Sequence, residues 1–487
     1  MRRTRLGYSF ALALAAAGCE AETTKPTRAQ LLDPEFCKDC HPQHYEEWSA
    51  SMHAYASRDP VFLAMNKRGQ EEAEIGEFCV QCHAPMALRE GAIDDFADLT
   101  DLPKHLQGVT CYFCHNAVKV NEPHSNANIE LANDTIMRGA LSNPIDTPAH
   151  GVAAKPSALH DRYGKQSSKL CGACHDIVNP LGLQLENTFR EYAESAQANT
   201  DDPGSFDSCQ SCHMRIRHRS TPAAPGFEGA HSRQVTWHLF PAVDVSLTPD
   251  MPHQDALRSA VEHCELQYRT RGGIAVERTG EWQTGEHFSF RVALEHLCAH
   301  NLPSGATADR RMWLEITAYD EAGRVVLESG KIADGELEEK PPGTPGHDPQ
   351  LHMFRDYLVD AEGHETHMFW DAAEIRDSRL IPFTKANDPS SHTAYRSFTT
   401  DERVAAPPTR IEIKWRLRPM GVDVLQDLVQ SGHLDPAVID AMPTYTIAHV
   451  IARLLPDGSY KVDDHPDFDE AGCEEFPELL EASMRRR

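Results

Sequence analysis

The stretch Cys37-Lys38-Asp39-Cys40-His41 contains two cysteines separated by two residues, with a histidine directly after the second. The same CxxCH pattern returns four more times, at Cys79-Cys82-His83, Cys111-Cys114-His115, Cys171-Cys174-His175 and Cys209-Cys212-His213. It is the attachment pattern of c-type haem. Two thiols add to the two vinyl groups of one porphyrin, and the following histidine binds the iron. The sequence therefore predicts five covalent haems, held by these ten cysteines and ligated by these five histidines.

Two other uses of paired cysteines fit this pattern less well. A zinc ribbon also contains CxxC pairs, but it does not need a histidine directly after every pair. A redox-active CxxC disulfide is expected once in an exported enzyme rather than five times. The repeated histidine therefore favours haem over zinc and over disulfides.

The N-terminal residues 1–19 resemble a bacterial lipoprotein signal peptide. Arginines within residues 2–5 form a basic start, and residues 6–17 are apolar but too few to span a bilayer. The resemblance implies cleavage before Cys19 and a lipid on its thiol; an ordinary secretory signal is the alternative. We expect an exported protein in the periplasm or at the cell surface, anchored to the membrane through that lipid. Because Glu20 is not the aspartate that commonly retains lipoproteins at the inner membrane, an outer-membrane lipoprotein is expected.

The net charge of the chain indicates which classes of partner to expect. The chain has 487 residues and a formal net charge of −27 at pH 7. Such an acidic protein is repelled by the phosphate backbone, so we expect no nucleic-acid partner. An acidic surface keeps an exported protein soluble or steers basic patches of partner proteins, and the charge alone does not separate these two roles.

The sequence predicts an α+β chain with two unlike parts. All five motifs lie within residues 33–245, where we predict short helices and long loops around haems that form the core. Residues 265–420 lack the motifs and are predicted to form a β-sandwich of the immunoglobulin type. A helix near residues 422–432 and an acidic tail are predicted for residues 421–487.

The β-sandwich prediction depends on stretches in which apolar and polar residues alternate, as they do in half-buried strands. These stretches are 274–278, 287–295, 311–319, 324–329 and 411–418. Residues 320–323 lie between two of them and are predicted to form a hairpin turn. Residues 335–347 are rich in proline, glycine and charge, which indicates a surface loop.

The first part of the chain also has a surplus of histidines outside the motifs. They are His44, His53, His105, His124, His150, His160, His218, His231, His238 and His253. A single histidine is usually a surface or hydrogen-bonded residue, but five haems need up to five distal ligands. We therefore expect about half of these histidines to bind iron.

The first motif begins a segment that resembles the cytochrome c-554 family. The motif is followed by Tyr45, Trp48, Ser51 and His53 in the pattern CxxCH-x3-Y-x2-W-x2-S-x-H. In that family the histidine at the last position is a distal ligand to a different haem. The resemblance implies this role for His53.

A later stretch is similar to larger multihaem cytochromes of metal-reducing and sulfur-metabolising bacteria. The order Pro148-Ala149-His150, Leu159-His160 and the last two CxxCH motifs follows their order. This similarity implies that His150, His160 and His231 are distal ligands. The segment His300-Asn301-Leu302-Pro303-Ser304-Gly305 also resembles a ligand-bearing segment of these proteins, although Cys298-Ala299 replaces the usual Ala-Gly. The resemblance implies that His300 reaches a haem from the β-domain.

Other side chains remain alternatives for the distal positions. His105, His124 and His238 are the reserve histidines. A methionine ligand such as Met86 or Met214 would raise the reduction potential of its haem relative to two histidines.

Besides Cys19, three cysteines lie outside the motifs. Cys264 and Cys298 are predicted either to pair with each other, since an exported protein meets oxidising conditions, or to be buried thiols. Cys473 is then left over.

These features predict an electron carrier. If every iron has two axial ligands, no substrate binds iron, and closely packed haems pass electrons between redox partners such as other cytochromes, quinol-linked donors or terminal acceptors. The alternative is an oxidoreductase with one open haem acting on a small nitrogen or sulfur compound. No CxxCK motif of the nitrite-reductase kind occurs. The histidine surplus favours the carrier, and the sequence assigns no catalytic residue.

Overall fold

A computed structural model describes the protein over residues 25–141, 155–202, 206–215, 220–225, 227, 230–260, 273–390 and 392–464. The cysteines and histidines named above that lie outside these ranges are Cys19, His150, His218, Cys264 and Cys473. The predictions of a lipid anchor on Cys19, of ligation by His150 and of a bond from Cys264 to Cys298 therefore fall outside the described residues.

Short helices joined by loops make up the motif-bearing part. They are α1 (Arg28–Leu32), α2 (Pro34–Lys38), α3 (Pro42–Ala50), α4 (Met52–Tyr55), α5 (Pro60–Ala73), α6 (Val80–His83), α7 (Pro85–Arg89), α8 (Cys111–Asn116), α9 (Ser168–Gly172), α10 (Thr188–Glu194), α11 (Cys209–His213) and α12 (Gln254–Ala260). A single 3-10 turn covers Lys104–Leu106. Most of these helices span one or two turns, which is too short to be stable alone, so packing must hold them.

Prolines begin four of these helices. Pro34, Pro42, Pro60 and Pro85 each occupy the first turn, where the missing N–H costs nothing. Asp59 caps the longest of them, because its carboxylate accepts hydrogen bonds from the first main-chain N–H groups of α5.

Small β-ribbons connect the helices. They are β1 (Ala117–Val120) with β2 (Ile129–Leu131), β3 (Arg138–Gly139) with β4 (Lys155–Pro156), β5 (Ile177–Val178) with β6 (Gln184–Glu186), and β7 (Thr221–Pro222) with β8 (Ser232–Arg233). Three of the four pairs are antiparallel, and β3 with β4 is parallel. The mixture of short helices and ribbons brings distant parts of the sequence around a common centre.

The second part is dominated by antiparallel strands. Its strands are β9 (Ile274–Arg278), β10 (Ser289–Leu294), β11 (Arg311–Tyr319), β12 (Val325–Ser329), β13 (Met353–Phe354), β14 (Asp356–Val359), β15 (Glu374–Ser378), β16 (Ala394–Thr399), β17 (Arg410–Arg418), β18 (Tyr445–Leu454) and β19 (Tyr460–Asp464). One sheet has the order β16-β10-β9, and the other has the order β12-β11-β17-β18-β19 with β13 also on β11. The helices and antiparallel sheets confirm the mixed α+β class.

Both sheets bury side chains in one hydrophobic cluster. Phe290 and Val292 come from the smaller sheet, and Ile316, Ile413 and Trp415 come from the larger. Two sheets that share one apolar layer protect each other's inner faces from water.

The five predicted strands occur in the structure as β9, β10, β11, β12 and β17, within two residues of the predicted ends. The predicted turn also forms: Asp320 N donates to Arg324 O, and Gly323 has a φ of 78°, which suits glycine. Strands β13 to β16 were missed. Strand β14 shows why, since it is buried at every position and so lacks an alternating pattern.

The predicted end of the β-domain at residue 420 is too early. Helix α13 (Val422–Gln430) forms as predicted, and a short helix α14 (Ala437–Ala441) follows it. The chain then returns to the larger sheet, where β18 pairs with both β17 and β19. The segment 421–487 is thus more than a helix and a tail, because an apolar strand after the helix completes the sheet.

Apolar packing also links the two parts. Val61 and Met65 of α5 share a buried cluster with Leu425 and Leu428 of α13. The motif-bearing part has a separate cluster that includes Met86 and Tyr112, so protein side chains provide some of its core, more than we expected. In the described part of the chain, no helix combines the length and apolar character needed to cross a membrane.

Candidate functional site

The five CxxCH motifs converge on one cavity of about 1490 Å³. Both cysteines and the histidine of every motif line it: Cys37, Cys40, His41, Cys79, Cys82, His83, Cys111, Cys114, His115, Cys171, Cys174, His175, Cys209, Cys212 and His213. Pockets for a single small molecule usually measure about 300–1,000 Å³. The cavity therefore exceeds the needs of one small ligand, and its lining fits several covalently attached porphyrins.

Each motif coils into about one helical turn. His41 N donates to Cys37 O at 2.8 Å, and His175 N donates to Cys171 O at 3.0 Å, as in an α-helix. Positions three and four residues apart lie on the same helix face. Both thiols and the histidine of a motif consequently project to one side, as attachment to a single porphyrin requires.

Every motif histidine uses Nδ1 in a hydrogen bond to an oxygen atom. The acceptors are Ala223 O for His41 at 2.7 Å, Ala56 O for His83 at 3.0 Å, Arg138 O for His115 at 2.5 Å, Pro241 O for His213 at 3.0 Å and Glu186 Oε1 for His175 at 3.1 Å. A carbonyl or an ionised carboxylate only accepts, so Nδ1 carries the proton and Nε2 keeps the lone pair. Metal-bound histidines are oriented in this way.

The electrostatic surroundings of these histidines differ. Burial lowers the pKa of His41, His83 and His115, which favours the neutral imidazole that binds metals. Burial also acts to lower the pKa of His175, but the hydrogen bond and charge of Glu186 outweigh it and raise the pKa to about 9. The fourth motif is therefore electrostatically distinct.

Thiols of different motifs lie within hydrogen-bond distance of one another. Cys37 contacts Cys111, which brings the first and third motifs together. The fourth motif has two such neighbours, since Cys174 contacts Cys82 of the second motif and Cys171 contacts Cys209 of the fifth. The motifs are thus adjacent in an order that differs from their order in the sequence.

Nine of the ten motif cysteines are thiols, and Cys40 is in a disulfide. A thioether at the first motif requires this disulfide to be reduced beforehand, since only a thiol adds to a vinyl group. Burial raises the pKa of Cys79 and Cys114 to about 12, so these thiols are protonated at neutral pH.

His53, the histidine implied by the c-554 resemblance, lies in the cavity wall on α4. Burial, together with the neighbouring histidines of the second, fourth and fifth motifs, lowers its pKa to about 3. Its ring packs against Phe240 with centroids 4.5 Å apart. The side chain is therefore a neutral imidazole near three motifs, which fits a distal ligand.

His160 also lines the cavity, beside the third motif. Its ring is nearly parallel to that of His115, with centroids 5.3 Å apart, and Nε2 lies 3.0 Å from Cys114 O. Burial lowers its pKa to about 3, and the buried Nδ1 has no hydrogen-bond partner among the residues that the structure describes. The imidazole is neutral and close to a motif, although Nε2 must leave Cys114 O before it could bind iron.

The remaining implied ligands reach the cavity from two directions. His231 is exposed and lies at the cavity wall. His300 is half-buried and lies on the loop between β10 and β11, which the structure brings to the same cavity. The β-part of the chain therefore contributes directly to the lining of the cavity.

Two further histidines line the cavity, although the sequence resemblance did not assign them as ligands. His238, a reserve ligand, lines the cavity with its ring 6.2 Å from that of His115 and nearly parallel to it. His44 lies 4.7 Å from His238, centroid to centroid. The sequence contained one signal for the position of His44. It lies three residues after His41, about one helical turn, and this spacing directs the side chains of His41 and His44 to the same helix face.

Several other reserve residues lie elsewhere. Among the described residues, His105, His124, His253 and Met86 are outside the cavity lining, whereas Met214 is part of it. His124 instead approaches Glu122, with Nδ1 and Oε2 2.9 Å apart.

Comparisons with known proteins agree with this geometry. Residues 36–116, which contain the first three motifs, match the family described as cytochrome c554 and c-prime. The fold is similar to the crystal structure of a penta-heme cytochrome c552 from Thermochromatium tepidum, with a TM-score of 0.55 and 19% identity over 86% of this chain and 98% of that chain. No curated protein matches the chain. Together these findings support a multihaem c-type cytochrome with covalently bound haem, a class of protein that exchanges electrons with other redox proteins.

Proposed function

We propose that this protein is a pentahaem electron carrier with one haem at each CxxCH motif. The observation that carries the proposal is the shared geometry of the five motif histidines, which all line one cavity and all fix Nδ1 on an oxygen atom. Haem supplies one-electron chemistry at iron when bound. In each motif, two thiols hold the group and the Nε2 atom of the histidine binds its metal.

The contacts between motifs define the proposed route of electrons. The Cys37–Cys111 contact joins the first motif to the third, and Cys114 lies near enough to Cys174 to raise its own pKa through charge. Cys174 and Cys171 join the fourth motif to the second and the fifth. We propose a path from first to third to fourth, with branches to the second and fifth.

Distal ligands decide between carrier and enzyme. We propose His53, His160, His231 and His300 for these positions, with His150 from the sequence resemblance and His238 as the alternative beside the third motif. Their positions at the cavity wall support four of these assignments and the alternative. Two axial ligands on every iron would leave no site for a substrate.

We also propose that the protein is exported and anchored by a lipid on Cys19. The N-terminal sequence supports this location, in the periplasm or at the cell surface, and covalent attachment of haem c in bacteria takes place after export. Its partners are then soluble or membrane-bound redox proteins.

For the second part we propose an immunoglobulin-like sandwich that starts near residue 265 and continues to residue 464. The strand order supports it: β9, β10 and β16 occupy one sheet, and β12, β11, β17 and β18 the other. This is the A-B-E and C′-C-F-G arrangement of such folds. Its role is to close the cavity with the loop that carries His300.

The proposal is tested on the purified full-length protein. Haem is quantified by the pyridine haemochrome method, and low-temperature electron paramagnetic resonance (EPR) is recorded on the ferric form. Five haems per chain, all low-spin and unreactive to carbon monoxide and cyanide, support the carrier. One high-spin haem that binds an added ligand would overturn it in favour of an oxidoreductase with one open haem.

A further inference from the structure

One motif histidine differs from the other four in the group that holds it. His41, His83, His115 and His213 donate Nδ1–H to neutral main-chain carbonyl groups. His175 of the fourth motif donates to the carboxylate of Glu186 at 3.1 Å. Among the described residues, His175 is therefore the only one of the five motif histidines whose Nδ1–H group is hydrogen-bonded to a charged side chain.

The local fold holds the side chains of His175 and Glu186 next to each other. His175 lies two residues before the β5–β6 ribbon, and Glu186 ends the ribbon opposite Ile177. Thr188 Oγ1 donates a second hydrogen bond to Glu186 Oε1 at 3.3 Å. Glu186 is buried, and among the described residues no lysine or arginine forms an ion pair with it.

A neighbouring acid shows the contrast. Asp176 is also buried, but it does not bond to the ring of His175 and is paired with Arg190, whose Nε lies 2.9 Å from Oδ2. The charge of Asp176 is thus compensated locally. Glu186 is hydrogen-bonded to the imidazole of His175 instead, and the guanidinium of Arg310 acts on it through charge without an ion-pair contact.

A carboxylate on the outer N–H of a metal-bound imidazole increases the basicity of that ligand. A more basic ligand stabilises ferric iron relative to ferrous iron, and burial strengthens the effect because the local dielectric is low. We propose that Glu186 gives the haem of the fourth motif the lowest reduction potential in the protein. This inference rests on the proposed function, since it requires a haem at the fourth motif.

The position of the fourth motif means that a low reduction potential there would affect the whole proposed electron route. Cys174 and Cys171 touch the second and fifth motifs, so the fourth lies where the proposed route branches. A centre of lowest potential at that point is the last to be reduced. It separates the first and third haems from the second and fifth, and electrons cross it without accumulating there.

The test compares redox titrations of the wild-type holoprotein and Glu186→Gln, followed by visible absorption and EPR. Glutamine keeps the shape and still accepts the Nδ1–H bond, but removes the charge. The lowest-potential centre should become easier to reduce by at least tenfold in its equilibrium constant, which is about 59 mV for one electron. Its EPR signal should change as well. The second-motif haem should move less, because the charge of Glu186 reaches His83 without a hydrogen bond.

Asp59→Asn is the matched control. Asp59 is another carboxylate in the cavity wall and is half-buried, but its bonds go to main-chain N–H groups of α5 and not to a motif histidine. Asparagine caps helices equally well, so the fold is kept. This variant should leave the lowest potential unchanged.

Glu186→Asp provides a second test if the glutamine variant does not mature. The shorter side chain lengthens the hydrogen bond, so the same centre should shift in the same direction by less. An unchanged lowest potential in a variant with five haems, or a shift confined to a higher-potential centre, would overturn the inference while the pentahaem carrier stands. Fewer than five haems in the wild-type protein would instead contradict the proposed function.

Discussion

Glu191 accepts hydrogen bonds from both nitrogen atoms of Asn301: the main-chain N–H donates to Oε2 at 2.9 Å, and the side-chain Nδ2 donates to Oε1 at 2.6 Å. The loop next to His300 is thereby fixed to helix α10, which begins just after the ribbon that carries Glu186. One half-buried carboxylate, that of Glu191, thus couples the β-part to the fourth motif. If His300 is a distal ligand, this contact holds it in position.

His300→Ala should convert one low-spin haem to high-spin and leave the other haems unaffected, because the remaining ligands come from other loops. EPR and carbon monoxide binding measure this change. His287→Gln is the control, since that ring bonds to Thr400 O away from the cavity. Spectra of His300→Ala that match the wild type would rule out ligation by His300.

Asn301→Ala should have a smaller effect of the same kind. It removes one of the two bonds to Glu191 but leaves the main-chain bond in place. A partial high-spin signal, or a ligand-binding rate between those of wild type and His300→Ala, is expected. If Asn301→Ala disturbs the spectrum more than His300→Ala does, the hydrogen bonds between Asn301 and Glu191 position a group other than His300.

Asp309 predicts a pH dependence of stability. Burial raises its pKa from 3.8 to about 7, despite the opposing charges of Arg311 and Arg310. The folded state therefore holds a proton that the unfolded chain releases near pH 4. The contribution of Asp309 to stability is present below that pH and is lost as the pH rises from about 4 to about 7.

Asp309→Asn should consequently raise stability at pH 8 by about 1–3 kcal/mol and reduce the difference between pH 5 and pH 8. Thermal unfolding of the holoprotein at several pH values measures this. Asp423→Asn is the opposed control: the carboxylate of Asp423 lies 2.7 Å from the buried Arg311, so its loss should cost about 2–4 kcal/mol. Equal effects of Asp309→Asn and Asp423→Asn on stability would contradict the raised pKa of Asp309.

Leu425 tests the packing between the two parts. It is fully buried on α13 in the cluster that includes α5. Leu425→Ala should destabilise the protein by about 2–5 kcal/mol, the usual cost of such a cavity. Thermal melts are the measurement, and Leu455→Ala is the control because Leu455 is 38% exposed. Similar losses for both would mean that the cluster does not join the parts.

Gly172 lies between the two cysteines of the fourth motif, where the chain packs closely against α10. A Cβ there would come within 2.2 Å of the ring of Phe189. Gly172→Ala should therefore displace α10 and lower the haem content from five to about four per chain. Gly139→Ala is the control, since no atom lies within 4 Å of the added carbon. Full haem content in Gly172→Ala would show that Phe189 can move without affecting attachment.

The sequence by itself determined the chemistry of the motifs, because the spacing Cys-x-x-Cys-His is local and one helical turn suffices to bring its side chains together. It likewise determined strands such as β9 and β17, whose alternation of apolar and polar residues records one buried face. Strand β18 was missed, since a helix intervenes and its partner β17 lies far away in the sequence.

Only the tertiary structure decided how the motifs are arranged and which groups hold their histidines. The bond from His175 to Glu186 depends on the register of a short ribbon, and the approach of His300 depends on the contact of the β10–β11 loop with α10. Contacts between residues distant in sequence are set by the whole fold and leave no local pattern. The proximity of His238 to His115 could not be read from the sequence for the same reason.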